Sequence, residues 1–306
     1  MRFNNFDEMI KSIKMQKSKK QCAVVAAESE HTLEAVLKAY KEGLIEPVLI
    51  GNEFMIREYL EKIISNVETM TIIPTSSDEE AAQKAVDLIH AGKADCLMKG
   101  RLETRTLMSA VLSSKNKLKA GKLVSSIGVW EVPGYHKLLF ITDGGITLYP
   151  NLTEKKLLID NAVEALIKLG VPCPKVAVLA AIETVNPKMR ETVDAAELKE
   201  MNKRGEIKNC IVEGPISFDC AFSKEAAQLK GYESPVAGDP DLLVWPDIAS
   251  GNIAGKAMIC VGHARVGLCI LGTKVPIIVS SRSATTDEKY LSIVFASALA
   301  QNLEKK

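Results

Sequence analysis

Three kinds of side chain that handle anions and protons stand close together late in the chain, in Ser280-Ser281-Arg282 and then Thr285-Thr286-Asp287-Glu288. A hydroxyl, a guanidinium and a carboxylate are enough to bind a phosphate and to move a proton. Their spacing says what would position them. Pro276 to Val279 is a short β-branched apolar run, which predicts a buried strand. Thr285 with Glu288 three residues later has the pattern of a capping box and predicts a helix through Leu291, Ile293, Val294 and Phe295. Strand, polar turn and helix is the arrangement in which α/β proteins hold ligands, at the carboxyl end of a strand and facing a helix N-terminus. Glu288 therefore has two readings, a helix cap and a base, and one carboxylate can be both.

Few other cations follow apolar runs. Lys99 and Arg101 flank Gly100 just after Asp95 to Met98, and Arg105 lies one turn later. A glycine between two cations lets the backbone approach a phosphate closely. The competing reading is a solvated cluster at a helix entry, the commonest fate of lysine and arginine. Asp143-Gly144-Gly145 fits neither the P-loop nor GxGxxG and reads as a turn. His31, His90, His136 and His263 form no HxH or HxxxH pair, and the seven cysteines include no CxxC, so no metal centre is expected. Asp239 and Asp241, set among Gly238 and Pro240, read as a turn before a divalent-ion site. GxSxG is absent, which argues against a serine hydrolase of that type. Cys96 and Cys220 lie in apolar runs, without the electropositive setting of a nucleophilic thiol.

The elements that must carry these residues alternate. Strand-like runs at Cys22 to Ala27, Pro47 to Ile50, Met70 to Ile73 and Asp95 to Met98 are interleaved with helical patterns opening near Ser29, Phe54 and Ser77. After Gly100, Thr104 or Thr106 would cap a helix through Leu112. Val124 to Val129 and Lys137 to Ile141 read as adjacent strands around a Pro133-Gly134 turn, the best candidate for a hinge. Alternation then resumes with helix Glu154 to Leu169, strand Lys175 to Ala180, helix Lys188 to Lys203, strand Cys210 to Glu213, strand Leu242 to Trp245 and a helix from about Ile253 to Cys260. This βαβα rhythm predicts a parallel sheet with helices on both faces.

Bulk properties narrow the function classes. The chain has 306 residues, 47% hydrophobic and 25% charged, as expected of one large or two ordinary globular domains. A formal net charge of +1 offers no global field for nucleic acid or an anionic membrane, so an anionic ligand must be met by local positive charge. No apolar run approaches the roughly 18 residues of a membrane span. Met1-Arg-Phe-Asn-Asn-Phe lacks a signal-peptide apolar core. A cytoplasmic protein is expected.

Several motifs in order, Val212-Glu-Gly-Pro-Ile-Ser-Phe-Asp219, Ser234-Pro-Val-Ala-Gly238, Pro246 and Gly251-Asn-Ile-Ala-Gly-Lys256, closely resemble the phosphate acetyl/butyryltransferase family. Ser281-Arg282 with its acidic helix start is similar to that family's active-site turn. Lys99-Gly100-Arg101, Asp143-Gly-Gly145 and Glu183-Thr-Val-Asn-Pro-Lys-Met189 look like the butyryl branch. The resemblance runs from about Cys22 to the C-terminus. It implies reversible transfer of an acyl group between coenzyme A and inorganic phosphate, with coenzyme A as substrate and no metal or other cofactor. It also implies a two-domain parallel-sheet α/β fold of the isocitrate/isopropylmalate dehydrogenase type with the site in the interdomain cleft, and a homodimer or higher homo-oligomer. One domain would take residues 1–133 with 276–306 and the other 134–275. By motif, Ser281, Arg282 and Glu288 would be catalytic; Asn252 and Lys256 match a helix facing substrate, and Asp143 lies in a matched loop. Cys260 and Ser125 or Ser126 stand where acetyl enzymes carry arginine, which makes Lys99, Arg101 and Arg105 the substitutes as anion contacts. The alternatives are a phosphate acetyltransferase, a non-catalytic acyl-CoA-binding protein, and a metal-dependent 2-hydroxyacid dehydrogenase of the same fold, for which no carboxylate triad is evident.

Overall fold

The structure, a computed structural model, describes residues 3–16, 18–64, 67–281 and 283–301. In chain order the elements are α1 (Phe6–Lys14), β1 (Lys20–Val25), α2 (Glu30–Lys41), β2 (Ile45–Gly51), α3 (Glu53–Glu61), β3 (Thr71–Pro74), α4 (Asp78–His90), β4 (Cys96–Lys99) and α5 (Thr104–Leu112). Next come β5 (Ser125–Glu131), β6 (Leu139–Thr142), α6 (Leu152–Lys168), β7 (Lys175–Leu179), α7 (Arg190–Lys203), β8 (Ile211–Ile216), α8 (Phe218–Phe222), α9 (Lys224–Leu229), β9 (Leu242–Val244) and α10 (Ile248–Cys260). The chain finishes with β10 (Arg265–Leu271), β11 (Ile277–Ile278) and α11 (Thr286–Gln301).

These elements form two compact units. The first comprises Phe6–Gly121 with Gly267–Lys306, and the second Met1–Asn5 with Lys122–Val266. The first division thus falls before β5, not at Pro133-Gly134, and the second inside β10, not at 276. The reason is hydrogen bonding. β5 pairs antiparallel with β6, and Tyr135 N donates to Val132 O at 3.0 Å, so Pro133-Gly134 is the turn of a hairpin inside the second unit.

The first unit's strands run β3-β2-β1-β4-β11-β10. All neighbours are parallel except β11 and β10. β1, β4 and β11 read as continuous apolar runs because both faces of a parallel sheet are covered. α11 is buried from Lys289 to Ala300. A helix buried on every side must be close-fitted, and Gly267 shows how: a Cβ there would lie 2.5 Å from the carbonyl oxygen of Leu291. Ser292 of α11 donates to the Glu288 carbonyl at 2.7 Å and accepts from Leu268 N at 2.9 Å, which stitches the helix to β10.

The second unit's strands run β5-β6-β9-β7-β8, parallel from β6 onward. At the N-terminal ends of β6, β7 and β9 sits a charge knot. The Lys137 ammonium, 1% exposed, lies 2.7 Å from Asp239 and 2.8 Å from Asp241, while Lys175 and His136 reach Asp239 at 2.8 and 2.9 Å. The two aspartates weighed as ligands of a divalent ion are answered by protein cations.

Candidate active site

Register explains the first grouping. β11 pairs in parallel with β4, Ile277 beside Leu97 and Ile278 beside Met98. The residues that leave the two strands, Lys99 on one side and Ser280 and Ser281 on the other, therefore emerge together. With Glu103, Thr104 and Arg105 they line a cavity of about 330 Å³ within the first unit. Lys99 is 7% exposed, and its ammonium donates to the carbonyls of Leu102 at 2.8 Å and Gly100 at 3.3 Å. Arg105 is exposed and has no hydrogen-bond or ion-pair partner among the described residues.

α5 opens onto the same cavity. The sequence predicts Thr104 or Thr106 as its cap, but the N-cap is Glu103, extended at φ −69° and ψ 143°, and its side chain makes no cap hydrogen bond. Burial of Leu102 sets this phase and makes Thr104 the first helical residue. The Glu103 side chain thus does not close the first turn, and a helix start of this kind suits an anion. Of the cavity residues, sequence spacing assigns Glu103 no role, Thr104 only that of a cap and Ser280 only a place in the polar turn.

Gly100 does something other than predicted. A Cβ there would lie 2.1 Å from Ala26 O. The missing side chain lets Gly100 N reach Val25 O and Arg101 N reach Ala26 O, both at 2.8 Å, so the close approach is made to the protein's own backbone. Arg101 then turns to two carboxylates, Glu28 at 3.5 Å and Asp78 at 3.3 Å, and is not among the residues lining the cavity.

The turn after β11 is held by local bonds. Ala284 N donates to Ser281 O at 3.1 Å, and the hydroxyls of Ser281 and Ser283 are 3.1 Å apart. The capping box forms as predicted: Glu288 N donates to Thr285 Oγ1 at 3.2 Å, and Glu288 Oε2 accepts from Thr285 N at 2.7 Å. Arg282 lies outside the described residues. Lys289, to which no local pattern drew attention, is buried, and its ammonium donates to Ala284 O at 3.0 Å. A lysine in the first turn of an otherwise apolar helix was the signal to hand, since that end of a helix disfavours cations.

In the second unit Asp143, 2% exposed, organises the loop after β6. It accepts from Gly145 N at 2.8 Å, Ile146 N at 2.9 Å, Thr147 N at 3.3 Å and Oγ1 at 3.1 Å, and from both the N–H and the hydroxyl of Ser126. Ser125 is buried and accepts from Asn161 of α6 at 2.9 Å. Asp143, Ser125 and Ser126 are thus engaged in holding β5, α6 and the loop. α10 starts earlier than predicted because Asp247 and Ser250 form a capping box. Its glycine face packs inward, Gly251 against Trp245 and Gly255 against Trp130. Asn252 and Lys256 share the exposed side, one turn apart, with no side-chain partner among the described residues.

One group of side chains, Glu183, Asp219 and Cys220, has the spacing of metal ligands. Lys230 already supplies its positive charge, 2.8 Å from Glu183 and 3.0 Å from Asp219. Hydrogen bonds from Ser217 and Lys230 hold the Asp219 carboxyl down at about 2. Burial pushes the Cys220 thiol up. Cys96 is raised well above its ordinary value by its hydrogen bond with Cys22 and by burial, and burial takes Cys210 to about 12. These thiols are held protonated and poorly nucleophilic.

The sequence model of the family described as Phosphate acetyl/butaryl transferase matches residues 55–297. The chain is 40% identical over 291 residues to a phosphate acetyltransferase of Thermotoga maritima, covering 95% of this chain and 99% of that one. It is 38% identical over 298 residues to a phosphate butyryltransferase of Clostridium acetobutylicum, covering 97% and 99%. Among solved structures, a branched-chain phosphotransacylase from Enterococcus faecalis superposes with a TM-score of 0.82 at 33% identity, covering 92% and 99%. A 4-hydroxythreonine-4-phosphate dehydrogenase from Klebsiella pneumoniae, covering 93% and 100%, superposes at 0.60 with 14% identity, a likeness of fold alone that bears out the dehydrogenase-like class. Carried by these matches along nearly its whole length, the chain belongs to the phosphate acetyl/butyryltransferase family.

Proposed function

We propose that this protein is a phosphate acyltransferase that moves a short acyl group between coenzyme A and inorganic phosphate in either direction, with butyryl or a branched short chain favoured. One observation carries the reading: the 330 Å³ cavity in which Lys99, Arg105, Ser280, Ser281 and the uncapped start of α5 gather around space for a dianion. Asn252 and Lys256, with their polar heads unengaged, are assigned further substrate contacts.

The chemistry rests on charge. A thiol with a pKa of ~8.5 is mostly protonated at neutral pH, so a carboxylate that takes its proton raises the thiolate fraction. Glu288 is assigned that proton. One of its oxygens holds Thr285 N, and the other remains for the thiol. The thiolate attacks the carbonyl carbon of the acyl phosphate, the C–S bond forms, and the C–O bond to phosphorus breaks with its electron pair leaving on phosphate. Lys99 and Arg105 are assigned the neutralisation of the phosphate, and Arg282, by its motif alone, that of the oxygen that becomes anionic. The raised thiols of Cys96 and Cys220 support direct transfer over a covalent intermediate. Neutralisation of the Glu183–Asp219 pair by Lys230 supports a reaction without metal. A homodimer or higher homo-oligomer in the cytoplasm belongs to the same reading. Leu148, Tyr149, Ile253 and Val261, large apolar side chains left exposed on the second unit, favour association.

The test is thiol release from acyl-CoA in the presence of phosphate. Arg105→Ala should lower turnover ~10²–10³-fold while the protein keeps its circular dichroism; near-normal turnover would remove the cavity from the mechanism. The 40% identity to an acetyltransferase supports acetyl as the second reading, and acetyl-, propionyl-, butyryl- and isobutyryl-CoA assayed side by side separate the two.

A further inference from the structure

Lys289 stands where neither a core nor the first turn of a helix favours an ammonium. It is the fourth residue of α11, its N–H bonded to Thr285 O at 3.1 Å, and it is only 7% exposed. Burial strips water from the charge, and the positive end of the helix dipole adds to that penalty. Burial accordingly lowers the pKa of the group, against the pull of neighbouring Glu288. An apolar side chain of similar length would fill the same space without either cost.

The placement is offset by one bond, from the ammonium to Ala284 O at 3.0 Å. That carbonyl belongs to the same peptide group as the Thr285 N–H, which donates to Glu288 Oε2 at 2.7 Å. Two consecutive, oppositely charged residues of α11 therefore grip one peptide plane from both ends. The Ala284 N–H in turn closes onto Ser281 O at 3.1 Å. The orientation of the 284–285 peptide thus passes directly into the turn that presents Ser281 to the cavity.

We propose that Lys289 is a positioning residue for acyl transfer: by fixing the Ala284 carbonyl it sets the geometry in which Ser281 is presented to the cavity. The proposal rests on the reading of the cavity as the phosphate site, and it goes beyond that reading by naming what keeps the turn in register.

Lys289→Met in the full chain tests it, because methionine keeps the stem and removes the ammonium. Melting temperature should hold or rise, while kcat falls ~10²-fold with a much smaller change in KM for phosphate, since misplacing reacting groups acts on the transition state. Exchange of the Ala284 amide should quicken by about tenfold or more as the turn opens locally, with amides of β4 and later α11 unchanged. Lys289→Gln, shorter than lysine, should behave in the same way and serves if the methionine variant fails to fold. Wild-type kcat and unchanged Ala284 exchange in either variant would overturn the proposal. The exchange readout does not depend on turnover, so an inactive wild-type protein would sink the functional reading and leave the Ala284 amide to decide the clamp.

Discussion

Glu288 caps a helix, and the base proposed for the reaction would be the same side chain. Its Oε2 satisfies an orphan N–H at the start of α11. Glutamine presents a carbonyl oxygen in the same place but cannot take a proton. Glu288→Gln should therefore keep the melting temperature close to wild type and lower kcat by ~10²–10⁴-fold, the usual range for loss of a general base. Thiol-release kinetics of the two proteins check it: near-normal kcat in the variant would leave Glu288 only its cap. That Ser281 and Lys99 come together was legible because each stands at the end of an apolar run, and parallel pairing of those runs brings their C-terminal ends side by side. Arg101 was not distinguishable in the same way. Whether a cation meets a ligand or a carboxylate depends on partners 73 and 23 residues distant, Glu28 and Asp78, which no local spacing reveals.

At the scale of elements, strands and capped helices were legible because apolar periodicity and cap chemistry are local. The β5–β6 hairpin and the capping box at Thr285 formed where expected, and Ser77 caps α4 by accepting from Glu80 N while Glu80 reaches back to Ser76. The open start of α5 was not, since two threonines offered equally good caps and burial of Leu102 chose neither. Backbone approach was legible only as to place. Gly100 marks a tight spot, but one between β4 and the end of β1. Gly100→Ala should cost at least ~1–3 kcal/mol, as overpacking does, because the obstacle at 2.1 Å is a carbonyl oxygen and not a flexible side chain. Urea unfolding would measure it, and an unchanged midpoint would show that the strands part freely. The charge knot at the base of the second unit makes a prediction about acid. Burial works against the Asp239 carboxylate, but hydrogen bonds from Lys137, Lys175 and His136 hold its pKa below the ordinary range. A depressed carboxylate stabilises the fold fully above its unfolded pKa of ~3.9 and loses that contribution as pH falls through the folded value. Melting curves of the wild-type protein should drop more steeply below about pH 4 than those of Asp239→Asn, which already lacks the charge.

For the molecule as a whole, the proposed phosphate site predicts linkage. Inorganic phosphate at ~100 times its dissociation constant should add about 2.7 kcal/mol to stability and raise the melting temperature, with sulfate a weaker competitor and the Arg105→Ala protein less responsive. Insensitivity of turnover to EDTA is expected as well, and strong inhibition would point back to the Glu183–Asp219–Cys220 group.

The way the chain leaves the first unit after Gly121 and returns to it at Gly267 also bears on biosynthesis. When the ribosome has delivered β4, that strand's flank is still bare, because its neighbour β11 and the helix α11 are among the final segments to emerge. The intervening unit has all its strands long before then. Nascent chains stalled after Val266 should thus show a protease-resistant middle segment and a soft N-terminal one, with chaperone contacts concentrated on the waiting β1–β4 surface.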